Sequence, residues 1–177
     1  GRPMSAVMKS LDSLEIGVCL RVNRLSRQAL IRRFFAVVSK LGDLHFWIAM
    51  GVVLLVQQGS AAIPTVLDLT VTAGNGNALY KVLKEKLVRE RPFISNGEIF
   101  CATAPLDRYS FPSGHTLHAV SFTIMLAAVE PSLTVITLPF TILAAFSRVA
   151  LGLPYPSDVF EGAANAAVLA TASIALF

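Results

Sequence analysis

The run LHFWIAMGVVLLVQQ, residues 44–58, contains no Asp, Glu, Lys or Arg, and its reading decides how the rest of the chain is organised. A second run, 61–80, is more polar, with Asp68, Thr70, Thr72 and Asn75, and continues into a charged helical end reaching Arg91. Further apolar runs cover 113–129, 132–147 and 158–177. They are joined by a tight Glu130–Pro131 turn and a Pro/Gly-rich loop at 149–157, and a loop at 93–111 precedes them. Several of these runs fall short of the roughly 20 residues that cross a hydrocarbon core, so short or tilted helices extended by polar ends are expected. The chain has 177 residues, 54% hydrophobic and only 15% charged, with a mean hydropathy of +0.65. A soluble domain of this size would have to hide nearly all of that apolar surface, whereas a bilayer removes the need. The expected fold is all-α: an integral membrane bundle of about five transmembrane helices, residues 44–177, in one domain.

Residues 4–43 read differently. Between 11 and 28, Leu11, Leu14, Ile16, Val18, Leu20 and Leu25 are interspersed with Arg21, Arg24 and Arg27. This pattern suits an amphipathic helix lying on the membrane surface. A second segment, about 29–40, sets Arg32 and Arg33 beside Phe34, Phe35, Val37 and Val38, and breaks at Gly42–Asp43. The basic residues fit anionic headgroups, and nothing in the pattern resembles a nucleic-acid-reading module. Gly1–Pro3 precede Met4 and read as a remnant of a cleaved tag, and the first 28 residues lack the continuous apolar run of a cleavable signal peptide. Cys19 and Cys101 are too few for a disulfide framework and have no metal-ligand spacing, so no metal or other cofactor is expected.

Three short blocks sit at the ends of apolar runs. In the first, Lys84 and Arg91 are seven positions apart and would share a helix face, and Pro92 ends that helix. Two such cations can grip phosphate oxygens, although basic residues at a membrane helix end also reach for headgroups without further function. In the second, Pro112-Ser113-Gly114-His115, Ser113 can cap a helix and Gly114 leaves its first backbone N–H groups open to an anion. His115 then stands beside that anion and can protonate a leaving oxygen. His118, one turn on, reads as a packing or polar-contact residue. The third block is Ser147-Arg148 with Asp158. Asp158 and Glu161 fit a capping box. Alternatively, Asp158 could orient an imidazole four residues earlier, where this chain has Pro154. All three blocks are expected at one end of the bundle, because successive helices alternate in direction.

In order and spacing, the blocks resemble the signature of the type-2 phosphatidic-acid-phosphatase superfamily: Lys-x6-Arg-Pro, Pro-Ser-Gly-His, then Ser-Arg-x5-His-x3-Asp. The resemblance covers roughly residues 84–158, and the hydrophobic layout is similar to that of small bacterial members. It implies a metal-independent lipid phosphatase acting through a phosphohistidine. Lys84, Arg91, Ser113, Gly114 and Arg148 would hold the phosphate and its developing charge, and His115 would be the general acid. A histidine polarised by Asp158 would be the nucleophile.

Position 154 departs from that pattern, because proline has no lone pair for attack and no proton to transfer. The chain as written is therefore expected to bind lipid phosphate or diphosphate and turn over little or not at all. An introduced inactivating substitution accounts for Pro154 better than a natural pseudoenzyme, since His115, Arg148 and Asp158 are all retained. The substrate classes implied are a polyprenyl diphosphate, phosphatidic acid or phosphatidylglycerol phosphate, delivered laterally from the bilayer. Two alternatives stand beside hydrolysis: phosphotransfer to a lipid acceptor, and non-catalytic binding of lipid phosphate. The expected location is a bacterial inner membrane. The turns at 57–60 and 130–132 lack Lys and Arg, which favours a cytoplasmic site, while many bacterial relatives face outward.

Overall fold

A computed structural model of the chain describes residues 6–86, 92–101 and 114–176. Two helices come first, α1 (Ala6–Asn23) and α2 (Ala29–Leu41), linked by a 3-10 turn at Arg24–Arg27. The apolar helices follow: α3 (His45–Gln58), α4 (Ile63–Lys86), then after the short α5 (Pro92–Ser95) come α6 (Gly114–Val129), α7 (Thr134–Ala150) and α8 (Pro156–Leu176). No strand occurs among the described residues. Three stretches are long and apolar enough to cross a membrane: His45–Lys86, Pro131–Ala150 and Pro156–Leu176. The first contains both α3 and α4 with a 3-10 turn at Gly59–Ala62 between them, and Gly114–Val129 is a shorter apolar helix.

Pro-initiated ends set several boundaries. Pro156 is the first residue of α8, where a missing N–H costs nothing and the fixed φ suits a helix. Expected to open its helix as a cap, Asp158 instead lies in the first turn, because Pro156 starts the helix two residues earlier. Its carboxylate reaches back and accepts the N–H of Tyr155 at 2.8 Å, so it still satisfies an end-of-helix donor. The expected reach of α4 to Arg91 runs past Lys86 into residues outside those described.

The closest helix pair is α6 and α8, and a side-chain cluster joins α3 to α6 and α7. Trp47, Met50, Leu54, Phe122 and Leu126 form its buried core, with the Phe46 and Phe140 rings stacked beside it at 3.7 Å between centroids. Polar side chains join helices where lipid offers them no partner. The Thr123 and Thr141 hydroxyls meet at 2.8 Å between α6 and α7. Ser173 of α8 donates to Asp68 of α4 at 2.6 Å, with Thr72 at 3.0 Å from the same hydroxyl. Many outward residues are bare hydrocarbon, among them Val56, Leu67, Val135, Ile142, Phe160 and Val168, as a lipid-facing surface requires.

The amino-terminal helices dock on the bundle. Cys19 of α1 is fully buried with Ile99 and Tyr155, and Phe35 of α2 packs with Ala150, Leu151 and Leu153. Leu11, Leu14, Val18, Leu30, Phe34 and Val37 of the same two helices remain exposed. At the far end of the bundle, the Gln58 amide donates to Glu130 at 3.2 Å and the Ser132 hydroxyl to the same carboxylate at 2.7 Å. Those bonds, Ser132 first, hold the Glu130 carboxyl below its ordinary range.

Candidate active site

Each block ends or begins a helix, and a few intermediaries tie the blocks together. Lys84 lies in the last turn of α4. Its ammonium donates to the Tyr80 hydroxyl one turn back and sits 4.3 Å from the centre of that ring. The Tyr80 ring in turn lies against the start of α6: a Cβ placed on Gly114 would stand 3.2 Å from its edge. Position 114 therefore has room for glycine and little more, which brings the α6 backbone up against the Lys84–Tyr80 pair. Arg91 and Ser113, the other expected phosphate ligands of the first two blocks, lie outside the described residues, as does Pro112.

His115 follows Gly114 in the first turn of α6. Its Nε2 stands 3.4 Å from Asp43 Oδ1, in the turn between α2 and α3; the imidazole is 13% exposed and Asp43 54%. Asp43 is four residues past Ser39, the residue that meets the third block. The Arg148 guanidinium, only 8% exposed, donates to the Ser39 hydroxyl at 3.0 Å. The end of α2 thus touches block two through Asp43 and block three through Ser39. Neither residue stands out in the sequence; the only signal was a Gly42–Asp43 break between two apolar segments. His118, one turn further along α6, pairs with Asn77 at 3.0 Å.

The segment from Arg148 to Asp158 is tightly held. The Leu153 N–H bonds back to the Arg148 carbonyl at 3.3 Å, which folds the loop onto the end of α7. Gly152 takes a φ of +79°, open to glycine and strained for other residues. A Cβ there would also meet the Phe100 carbonyl at 2.8 Å. Pro154 is buried, and Asp158, fully buried, grips the loop at the very next residue through the Tyr155 N–H.

Asn23, at the end of α1, was absent from the sequence reading and fastens this loop from the side. Its amide donates to the carbonyls of Ala150 at 3.0 Å and Phe100 at 2.8 Å, and its oxygen accepts the Phe100 N–H at 2.8 Å. The Ser26 hydroxyl adds a bond of 2.6 Å to the Ala150 carbonyl. Glu15 accepts the Ser157 N–H at 2.7 Å, placing a carboxylate at the positive end of α8. A lone Asn in an amphipathic segment carries no periodic signal, so only the fold reveals this clamp.

The arrangement offers a general acid candidate in His115 and cations in Lys84 and Arg148, with the amino-terminal, positive end of α6 beside them. It can bind an anion and donate a proton to it. Among the described residues, no group of three or more His, Cys, Asp or Glu is placed to hold a metal ion. An apolar groove of about 500 Å³ runs between α3 and α4, lined by Leu44, Trp47, Gly51, Leu69, Ala73 and Phe122. Its Leu44 and Asn77 end adjoins Asp43 and the His118 contact.

Comparison with known proteins gives the family and the fold. Residues 65–177 match the PAP2 superfamily. An undecaprenyl-diphosphatase of Sulfolobus acidocaldarius is 27% identical over 136 residues, which are 76% of this chain and 65% of the relative, just under two thirds of its length. Two solved structures share the fold. LpxE of Aquifex aeolicus superposes with a TM-score of 0.74 at 24% identity, covering 91% of this chain and 94% of that one. The first transmembrane PAP2-type phosphatidylglycerolphosphate phosphatase of Bacillus subtilis gives 0.70 at 22% identity, covering 97% and 87%.

Proposed function

This chain belongs to the PAP2 superfamily, whose phosphatases hydrolyse phosphate esters and anhydrides, and from that premise we propose that it is a membrane lipid phosphatase stalled at position 154. The observation that carries the reading is the bridge made by the end of α2, which holds Arg148 through Ser39 and His115 through Asp43. Burial and the Ser39 bond fix the Arg148 guanidinium in place, as a preorganised phosphate-binding cation requires. The relatives' names add phosphate and diphosphate lipids as the substrate class. The groove between α3 and α4 would take an acyl or prenyl tail as the headgroup enters from the bilayer.

With histidine at 154, the reaction runs in two displacements. The imidazole nitrogen attacks phosphorus as the bond to the lipid-side oxygen breaks, and that oxygen takes the proton of His115. Lys84, Arg148 and the amides at the start of α6, together with Arg91 and Ser113 as expected from sequence, neutralise the charge on the equatorial oxygens. Water, giving its proton back to His115, then attacks phosphorus and releases the enzyme histidine with inorganic phosphate. Asp158 orients the attacking ring. With Pro154 in place the first step has no nucleophile, and the chain holds its lipid without cleaving it. This gives the binding-only reading a specific footing. The deciding experiment is Pro154→His, assayed for phosphate release from phosphatidic acid and a polyprenyl diphosphate in detergent. Release restored by the substitution supports the reading; a silent revertant that still binds lipid phosphate assigns the chain to binding alone.

A further inference from the structure

A second cationic feature lies on the other side of the Asn23 clamp. The 3-10 turn at Arg24–Arg27 has about three residues per turn, so residues three apart line up along one edge. Asn23 and Ser26 form its inner edge and fasten the Ala150 carbonyl. Arg24 and Arg27 form the outer edge and line a cavity of about 620 Å³, closed on its other sides by Arg32 and the 97–101 segment. Arg32 is steadied over the Phe100 ring at 5.6 Å, and Phe100 is itself bonded twice to Asn23.

Among the described residues, positive charge predominates in this cavity: three arginines against one carboxylate. Among the described residues no carboxylate pairs with Arg24, Arg27 or Arg32, and one carboxylate, Glu98, is among the lining residues. Stacked like charges repel. The positive end of α2 adds to them, since its first turn contains no acidic residue and Arg32 follows directly. Three guanidinium forks around one concavity match the several acceptor oxygens of a phosphate better than the two of a carboxylate. We propose that Arg24, Arg27 and Arg32 form a second phosphate-binding site, separate from the cradle of Lys84 and Arg148. Its ligand is a terminal phosphate with at least three unesterified oxygens, carried by a phosphomonoester lipid headgroup or free in solution, and not the phosphodiester of an ordinary phospholipid. The inference stands whether or not the chain cleaves lipid. Because the inner edge of the same turn holds the 150–155 loop, occupancy of the outer edge would stiffen that loop.

Cys101 lines the cavity and Cys19 is fully buried, so maleimide labelling of the whole chain reports this site. Labelling is followed in phosphatidylcholine vesicles alone, with phosphatidic acid, with phosphatidylserine at equal surface charge, and with inorganic phosphate. Phosphatidic acid or inorganic phosphate should slow labelling, and whichever does so identifies the source of the phosphate. Phosphatidylserine should not. Arg24→Gln with Arg27→Gln should weaken the protection about tenfold or more, while Arg148→Gln leaves it intact. Absence of protection, equal protection by phosphatidylserine, or protection surviving the double substitution overturns the site. Loss in Arg148→Gln alone would move the phosphate to the catalytic cradle and also overturn it. As a second readout, equilibrium binding of inorganic phosphate to the Arg148→Gln protein should persist and vanish on adding the arginine pair. Matching thermal unfolding of the variants checks that each is folded.

Discussion

The two ends of the bundle are both closed by polar side chains, yet they are built on opposite principles. At one end, Gln58, Glu130 and Ser132 join two turns in an open position, where water can replace any of the bonds. At the other, Arg148 and Asp158 are taken almost entirely out of solvent and supplied with specific partners, Ser39 and the Tyr155 N–H. Solvated contacts contribute little to stability, while a buried charge or donor left unpaired is expensive. A membrane protein with no chemistry to perform could close both ends the first way. This chain closes one the second way, at the end where the proposed site lies, and four perturbations test the contrast.

Largest is Pro154→His, which should raise lipid-phosphate hydrolysis by on the order of 10⁴ to 10⁶, measured as phosphate release. In that restored background, Arg148→Ala should cut kcat about 10² to 10³-fold, as loss of one charge-stabilising donor does. Steady-state kinetics at saturating lipid would read it, and an unchanged kcat would remove Arg148 from the cradle.

Next is Asn23→Ala, which strands the Phe100 N–H and carbonyl and leaves the Ala150 carbonyl to Ser26 alone. It should cost about 2–3 kcal/mol, seen in thermal unfolding, and make the 149–155 loop more open to proteolysis. A fall in stability with no change at the loop would mean that Asn23 holds α1 rather than the site. The smallest effect belongs to the far end: Glu130→Gln should leave lipid-phosphate binding unchanged. Because its folded-state carboxyl lies below the usual value, Glu130 contributes stability that is present above the unfolded-state pKa and fades as pH falls through the folded one. The glutamine variant should therefore show a slightly flatter acid limb in a pH series of unfolding midpoints. A change in lipid binding would blur the distinction between the two ends.

Much of this architecture was legible from residue order. Apolar runs placed α3, α4, α6, α7 and α8 within a few residues, because the bilayer imposes the same demand on every span. The errors were at boundaries, as at α8, where Pro156 takes the first helical position and pushes Asp158 into the first turn. The lysine, histidine, arginine and aspartate of the blocks were also legible, since charged residues bordering apolar runs stand out. Asp43, Ser39, Tyr80 and Asn23 were not. Each is an ordinary polar residue in a polar neighbourhood, and its importance arises from a partner between 34 and 127 positions away.

By itself, then, the order of residues determined that this chain enters a membrane as a helical bundle and carries acid and cationic groups at its helix ends. Local hydropathy and spacing are properties of a single segment, so they can be read one segment at a time. Which groups meet was decided only by tertiary structure: Asp43 beside His115, Ser39 on Arg148, Asn23 across the loop, and three arginines around one cavity. Such meetings depend on how helices pack, and packing depends on the shapes of all of them at once.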